Sequence, residues 1–222
     1  MRSTKNRIAD TALCLFNQVG TDGVSTNHIA AAMEISPGNL YYHYANKDEI
    51  LFVLLDRLSC ALEDVWAPTG EGLGSEEGSD DESLRAAVAG SFALLDRYRF
   101  FARELFALAH RSPALRERTR SLSERSVCAI ERRILANAGP WSRAPDRGWP
   151  RSLAWALWLC ILECVGSADL CQLSAEPANW AHGVDFVLGL LEPHLQAEPG
   201  SGVMWIGGLA EGLMAGSARG LP

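Results

Sequence analysis

Tyr41, Tyr42, His43 and Lys47 set phenol, imidazole and ammonium donors on neighbouring turns of a short segment that opens with Ser36, Pro37, Gly38 and Asn39. Donors of this kind suit the phosphate oxygens that flank a nucleic-acid groove. Small residues at the start of such a segment let its backbone come close to what it reads, where bulky ones would hold it off. The cysteines offer a different chemistry. Cys160 and Cys164 stand four apart on one helical face and Cys171 continues that face, the outline of a thiolate site for a soft metal. At 1.5 Å per residue, however, Cys171 lies about 10 Å further along, beyond a single tetrahedral site. Cysteine acting as a small apolar residue accounts for the pattern equally well, and no metal is expected.

Catalysis finds little to work with. The motifs G-x-S-x-G and H-E-x-x-H, a P-loop and a dinucleotide fingerprint are all missing. His110, His182 and His194 are scattered over helical patterns without a partner motif. The glycine-rich run of residues 70–78, GEGLGSEEG, is acidic, so its field repels phosphate. The expectation is a protein that is not an enzyme and needs no cofactor.

The elements that position these donors are helices. No stretch alternates convincingly at period two, whereas period 3.6 recurs along the chain, which predicts an all-α fold. Ile8, Ala12, Leu15, Phe16 and Val19 form one apolar stripe, closed by Gly20. Ser25 or Thr26 caps a two-turn helix through Met33, with Ile29 and Met33 inward and Ala30 to Ala32 small enough for close packing. Ser36 and Pro37 read as N-cap and first helical residue of a third helix that ends near Tyr44. Asn46 to Glu49 resembles a capping box ahead of a fourth helix striped by Ile50, Leu54, Leu58, Leu62 and Val65.

Residues 67–83 hold four glycines, one proline and six acids, a loop composition that separates a small head from the rest. Long helical patterns follow over about 83–110 and 113–137, then a proline-rich loop from Gly139 to Pro150. Leu153 to Cys171 and Pro177 to Gln196 give two last helices, and 198–222, with seven glycines, form a tail of uncertain order. The domains predicted are 1–47, 48–197 and that tail.

Composition limits the alternatives. The 222 residues are 48% hydrophobic and 21% charged, enough apolar content for one large or two small domains and too much for a disordered chain. The longest apolar run, Leu153 to Leu162, is ten residues, about half of what a bilayer span requires. With no apolar signal core at the N-terminus, the expected compartment is the cytoplasm and the six cysteines are read as reduced. The net charge of −7 argues, taken alone, against nucleic acid. By segment, residues 1–50 carry four Lys/Arg against five Asp/Glu, and residues 150–222 carry two against seven, so most of the acidity lies behind the head.

Residues 25–47 combine a two-turn helix, a tight connection and a short helix opened by Ser-Pro-Gly, a helix-turn-helix pattern whose second helix fits a major groove about 12 Å wide. The segment resembles the DNA-binding head of the TetR family of dimeric bacterial transcription regulators. The resemblance rests on Thr26, Gly38, Leu40, Tyr41, His43, Tyr44, Asn46, Lys47, Glu49 and Ile50, and covers residues 5–58. It implies that Thr26 meets a phosphate, that Ser36, Gly38 and Asn39 approach bases or backbone, that Tyr42 and His43 hold phosphates, and that Lys47 clamps one from the fourth helix. Leu40, Tyr41 and Tyr44 are expected in the core, or at most mixed, since the helical period turns them toward the first two helices. At the turn, Glu34 replaces the Gly or similarly permissive residue usual in the family. A left-handed conformation there costs about 1–2 kcal/mol, so a locally different turn is expected, with the carboxylate repelling nearby phosphate.

The resemblance also implies a small-molecule pocket in the body and a repressor released from a double-stranded operator by its effector. Aromatic residues on the predicted body helices suggest an apolar or aromatic ligand, with Phe101, Phe106, His110, Trp155 and Trp158 as candidate contacts. Arg99, Arg103 and the arginines from Arg111 to Arg125 read as solvated faces with Glu104, Glu117 and Glu124. The segment 153–160 is apolar in every direction around its axis, which one monomer's core cannot cover. A two-fold dimer through the last two helices is therefore expected. The contrasting reading is a helical ligand-binding or enzymatic module whose head is merely structural.

Overall fold

The computed structural model describes residues 3–67, 79–137, 149–168 and 180–195. Among these, nine helices follow one another: α1 Thr4–Val19, α2 Thr26–Ala32, α3 Pro37–His43, α4 Lys47–Val65, α5 Ser79–Arg97, α6 Arg99–Arg111, α7 Pro113–Asn137, α8 Trp149–Gly166 and α9 Ala181–Leu195. No strand occurs among the described residues. The tail 198–222, Cys171, and the residues predicted helical at 177–179 lie outside the described residues.

The first four helices start where their side chains can take up orphan backbone N–H groups. Ser3, Ser25, Ser36 and Asn46 each accept a hydrogen bond from the backbone N–H three residues on. Ile8, Ala12 and Phe16 of α1 close a head core over Ile29, Leu40 and Tyr44. The stripe expected on α1 is narrower than predicted: Val19 is 61% exposed and Leu13 is buried in its place. On α2, Ala30 is buried, but Ala31 and Ala32 face outward.

Helix α4 joins the two parts. It packs on α1 in the head and runs along α7 in the body, with Ile50, Leu54, Leu58 and Leu62 all buried. Helices α5 to α8 add Val88, Phe92, Phe100, Phe101, Ile130, Leu157, Trp158 and Ile161 to the same core. Phe92 stacks on Trp180 at 5.2 Å, which seats α9 against α5.

Three features of the body differ from the sequence reading. Helix α5 starts at Ser79, within the segment expected to be loop, and α8 likewise starts at Trp149, inside the predicted proline-rich loop. The pattern read as one helix over 83–110 is two, broken at Tyr98 (φ −113°, ψ 36°). Neither Gly nor Pro marks that break. Asn17 of α1 supplies it from outside: its amide donates to the Arg97 carbonyl (2.8 Å) and accepts from the Phe100 N–H (3.0 Å). Backbone groups released by the kink are thereby satisfied. Phe16 packs beside Phe100 at 5.6 Å in the same junction.

Candidate nucleic-acid interface

Helix α2 begins with a reciprocal cap in which histidine takes the place usually held by Glu or Gln. The Ser25 hydroxyl accepts from the His28 N–H (3.2 Å), and His28 Nδ1 accepts from the Ser25 N–H (3.3 Å). The helix ends on a Schellman turn. The Glu34 N–H donates to the Ala31 carbonyl (3.0 Å) and the Ile35 N–H to that of Ala30 (3.1 Å). Such a turn needs a left-handed residue, and Glu34 adopts φ 55°, the one positive-φ residue other than glycine among those described. The expectation of a different turn is therefore wrong: α2 packs against α3 and α1 with the glutamate itself in the left-handed conformation. Glu34→Gly should stabilise the head by about 1 kcal/mol in urea unfolding, since glycine takes this conformation without a Cβ clash. No gain in midpoint would show that the strain is absorbed elsewhere.

After the turn, the Ser36 hydroxyl accepts from the Asn39 N–H (3.2 Å), and Pro37 opens α3. Leu40 alone on this helix is fully buried. Ser36, Pro37, Gly38 and Asn39 are exposed, and Tyr42 projects with 85% of its surface free. Its ring meets His43 edge-on at 5.1 Å. Tyr44, as expected, is core: its hydroxyl donates to the Lys5 carbonyl (3.1 Å), and burial raises its pKa. Tyr41 is not. Half its surface is exposed, and its hydroxyl shares a 3.1 Å hydrogen bond with that of Thr26. Seven residues cannot carry more than one buried stripe, and Leu40 with Tyr44 already fills it.

An open cleft of about 390 Å³ lies beside α3, lined by Ser25, Thr26, His28, Tyr41, Asn46 and Lys47 among others. Thr26 and Lys47, expected as phosphate contacts, are thus brought to one concavity. Lys47 has other partners, however. Its ammonium donates to the carbonyls of Thr21 (2.6 Å) and Val24 (3.0 Å), and burial, then the positive Arg111, lowers its pKa. It holds the α1–α2 turn, with a single N–H left for any anion.

That turn reveals residues that the sequence reading missed. Thr21 is completely buried. Its N–H and hydroxyl both donate to the Glu104 carboxylate (2.9 and 2.5 Å), while Arg111 donates to the same hydroxyl (2.8 Å) and pairs with Asp22. Glu104 and Arg111 were expected on solvated faces. Seven residues apart on α6, they share one face, and that face meets the head.

The five candidate ligand contacts are not gathered in one place. Phe101 and Trp158 are buried in the core, and Trp155 is half-buried. Phe106 is 78% exposed, and His110, also exposed, places Nδ1 2.7 Å from the Phe106 carbonyl. With Phe101 and Leu108 turned inward, the period of α6 turns Phe106 out. Among the described residues, no group of three or more His, Cys, Asp or Glu is placed to hold a metal, and no helix is long and apolar enough to cross a membrane.

A capped α2, a Schellman turn and an exposed α3, all seated on a helical bundle, define an all-α helix-turn-helix protein. Residues 8–54 match the model of the bacterial regulatory proteins of the tetR family. The negative transcriptional regulator IcaR of the biofilm operon icaADBC, from Staphylococcus epidermidis, is 44% identical over 46 residues, 21% of this chain. The matched stretch spans a quarter of that relative's length. A TetR-family transcriptional regulator from Marinobacter aquaeolei VT8 is 29% identical, with a TM-score of 0.73 over 95% of this chain and 98% of the other. The fatty acid degradation regulator FadR from Bacillus halodurans is 14% identical and shares the fold, with a TM-score of 0.66 over 92% of this chain and 98% of its own. The tetR-family model thus matches the head of this chain, and the chain as a whole is similar in fold to solved TetR-family regulators.

Proposed function

We propose that this protein is a sequence-specific DNA-binding transcriptional regulator, a repressor that works in the cytoplasm as a homodimer and leaves its operator when a small apolar or aromatic effector binds the body. The observation that carries the reading is the bare outer face of α3, from Ser36 to Asn39, with Tyr42 beside it. Ser36, Gly38 and Asn39 are the groups for bases and adjacent backbone, and Thr26, Tyr42 and His43 those for phosphates. Lys47 adds its remaining N–H. Head residues 1–47 read the DNA and residues 48–197 regulate and dimerise, with α4 shared between the two. The negative regulation named for the IcaR relatives supports repression.

Exposed apolar side chains on the last two helices support the dimer. Leu159 of α8 and Phe186 and Leu190 of α9 are exposed large hydrophobic residues on two helices that pack together. Two-fold contact there would set two α3 helices toward successive major grooves, about 34–36 Å apart.

The test is selection of binding sites from random duplexes, followed by salt titration of the winning sequence. The expected result is one enriched palindrome whose log affinity falls against log salt with a slope of about −4, for four to five phosphate contacts. No enrichment, or a complex indifferent to salt, would rule the reading out.

A further inference from the structure

We propose that Glu104 and Arg111, on body helix α6, are positioning residues for DNA binding: they touch no DNA and set the turn from which α2 and α3 are hung. The proposal rests on the DNA-binding reading above and extends it to residues outside the head.

The geometry runs through Thr21. Its N–H and hydroxyl donate to Glu104, its hydroxyl also accepts from Arg111, and its carbonyl accepts from Lys47. Every polar group of this buried residue is therefore held by a charged side chain from outside the turn, two from α6 and one from α4. Gly20 lets Glu104 come this close. A Cβ built there would stand 2.6 Å from the carboxylate, and φ is +78°. Four residues beyond Thr21, Ser25 caps α2, and Val24 between them is tied to Lys47 and buried. A shift of α6 along its axis must carry Thr21 and Asp22 with it, and with them the start of α2 and, through Lys47, the start of α4. Charged hydrogen bonds are directional, so this junction transmits a displacement that an apolar contact would let slip.

Two removals isolate the effect. Glu104→Ala deletes the carboxylate, and Thr21→Val deletes only the hydroxyl from an isosteric side chain, with Thr21→Ser as the conservative restoration. Affinity is read by anisotropy on the duplex enriched by the wild-type protein, with helicity by circular dichroism and assembly by sedimentation. Glu104→Ala and Thr21→Val should each bind about 10-fold more weakly, with helicity and assembly unchanged, because buried donors lose their acceptor or their partner. Thr21→Ser should bind within about twofold of wild type, and the Glu104→Ala, Thr21→Val double variant no worse than the poorer single one, as expected for residues on one path. Variants that all bind like wild type overturn the positioning role alone. Thr21→Ser binding as poorly as Thr21→Val also overturns it, because the hydroxyl would then be irrelevant. A wild-type protein that enriches no sequence overturns the DNA-binding reading and this role together.

Discussion

Gly38→Leu is expected to fold as the wild-type chain does and to lose at least about 100-fold in operator affinity, the equivalent of one or two base contacts. The structure has no use of its own for a glycine here. A Cβ at Gly38 meets nothing nearer than the Ser36 hydroxyl at 4.0 Å, and the residue's φ is not positive. Glycine inside a helix costs about 0.8–1 kcal/mol relative to alanine, so a leucine should raise the unfolding midpoint slightly. Against DNA the balance reverses. Gly38 is exposed at the second position of α3, the helix end that the proposed reading brings to the bases, where a branched side chain would lie between backbone and groove. Thermal unfolding and anisotropy on the selected duplex read the two halves separately. Undiminished binding by a folded Gly38→Leu protein would mean that α3 does not enter the groove by this end.

Leu159→Asp combined with Phe186→Asp should leave a folded monomer with almost no operator binding. Both side chains are 53% exposed in the single chain, so neither replacement empties the core. Exposed with them are Ala156 on α8 and Gly189 and Leu190 on α9. Gly189 has nothing within 4 Å of an added Cβ, which leaves room for a second copy to approach. In a two-fold interface each aspartate occurs twice, and an unpaired carboxylate taken out of water costs several kcal/mol. Loss of the dimer then removes the second head. With it goes an effective-concentration advantage of about 10²–10⁴, since two linked half-sites bind far more tightly than one. Sedimentation should show dimer for the wild type and monomer for the double variant. A wild-type monomer at micromolar concentration, or a double-aspartate dimer, would place the assembly surface elsewhere.

Much of the head could be read without coordinates because its signals are local. Ser25, Ser36 and Asn46 cap helices through side chains that reach three residues ahead, and Pro37 opens α3 by its own fixed φ. Tyr44 and Leu40 were legible as core by helical period. Tyr41 was legible only as core or mixed, because a helix of seven residues gives too few turns for periodicity to separate a buried flank from an exposed one. At Glu34 the local rule pointed away from the left-handed turn, and packing of the neighbouring helices overrode it.

The chain's own residue order thus determined an all-helical architecture, the starts of α2, α3 and α4 and the pattern of the helix-turn-helix, all set by groups close together in the sequence. Tertiary structure alone decided where the body breaks and how it grips the head. The kink at Tyr98 exists because Asn17, 80 residues before Arg97, receives the freed backbone groups. Glu104 and Arg111 look like an ordinary charged helix face until Thr21 is folded against them. A hydrogen bond between residues distant in sequence leaves no period and no spacing to read; it depends on where two elements come to rest, and that is fixed only when the core between them has packed.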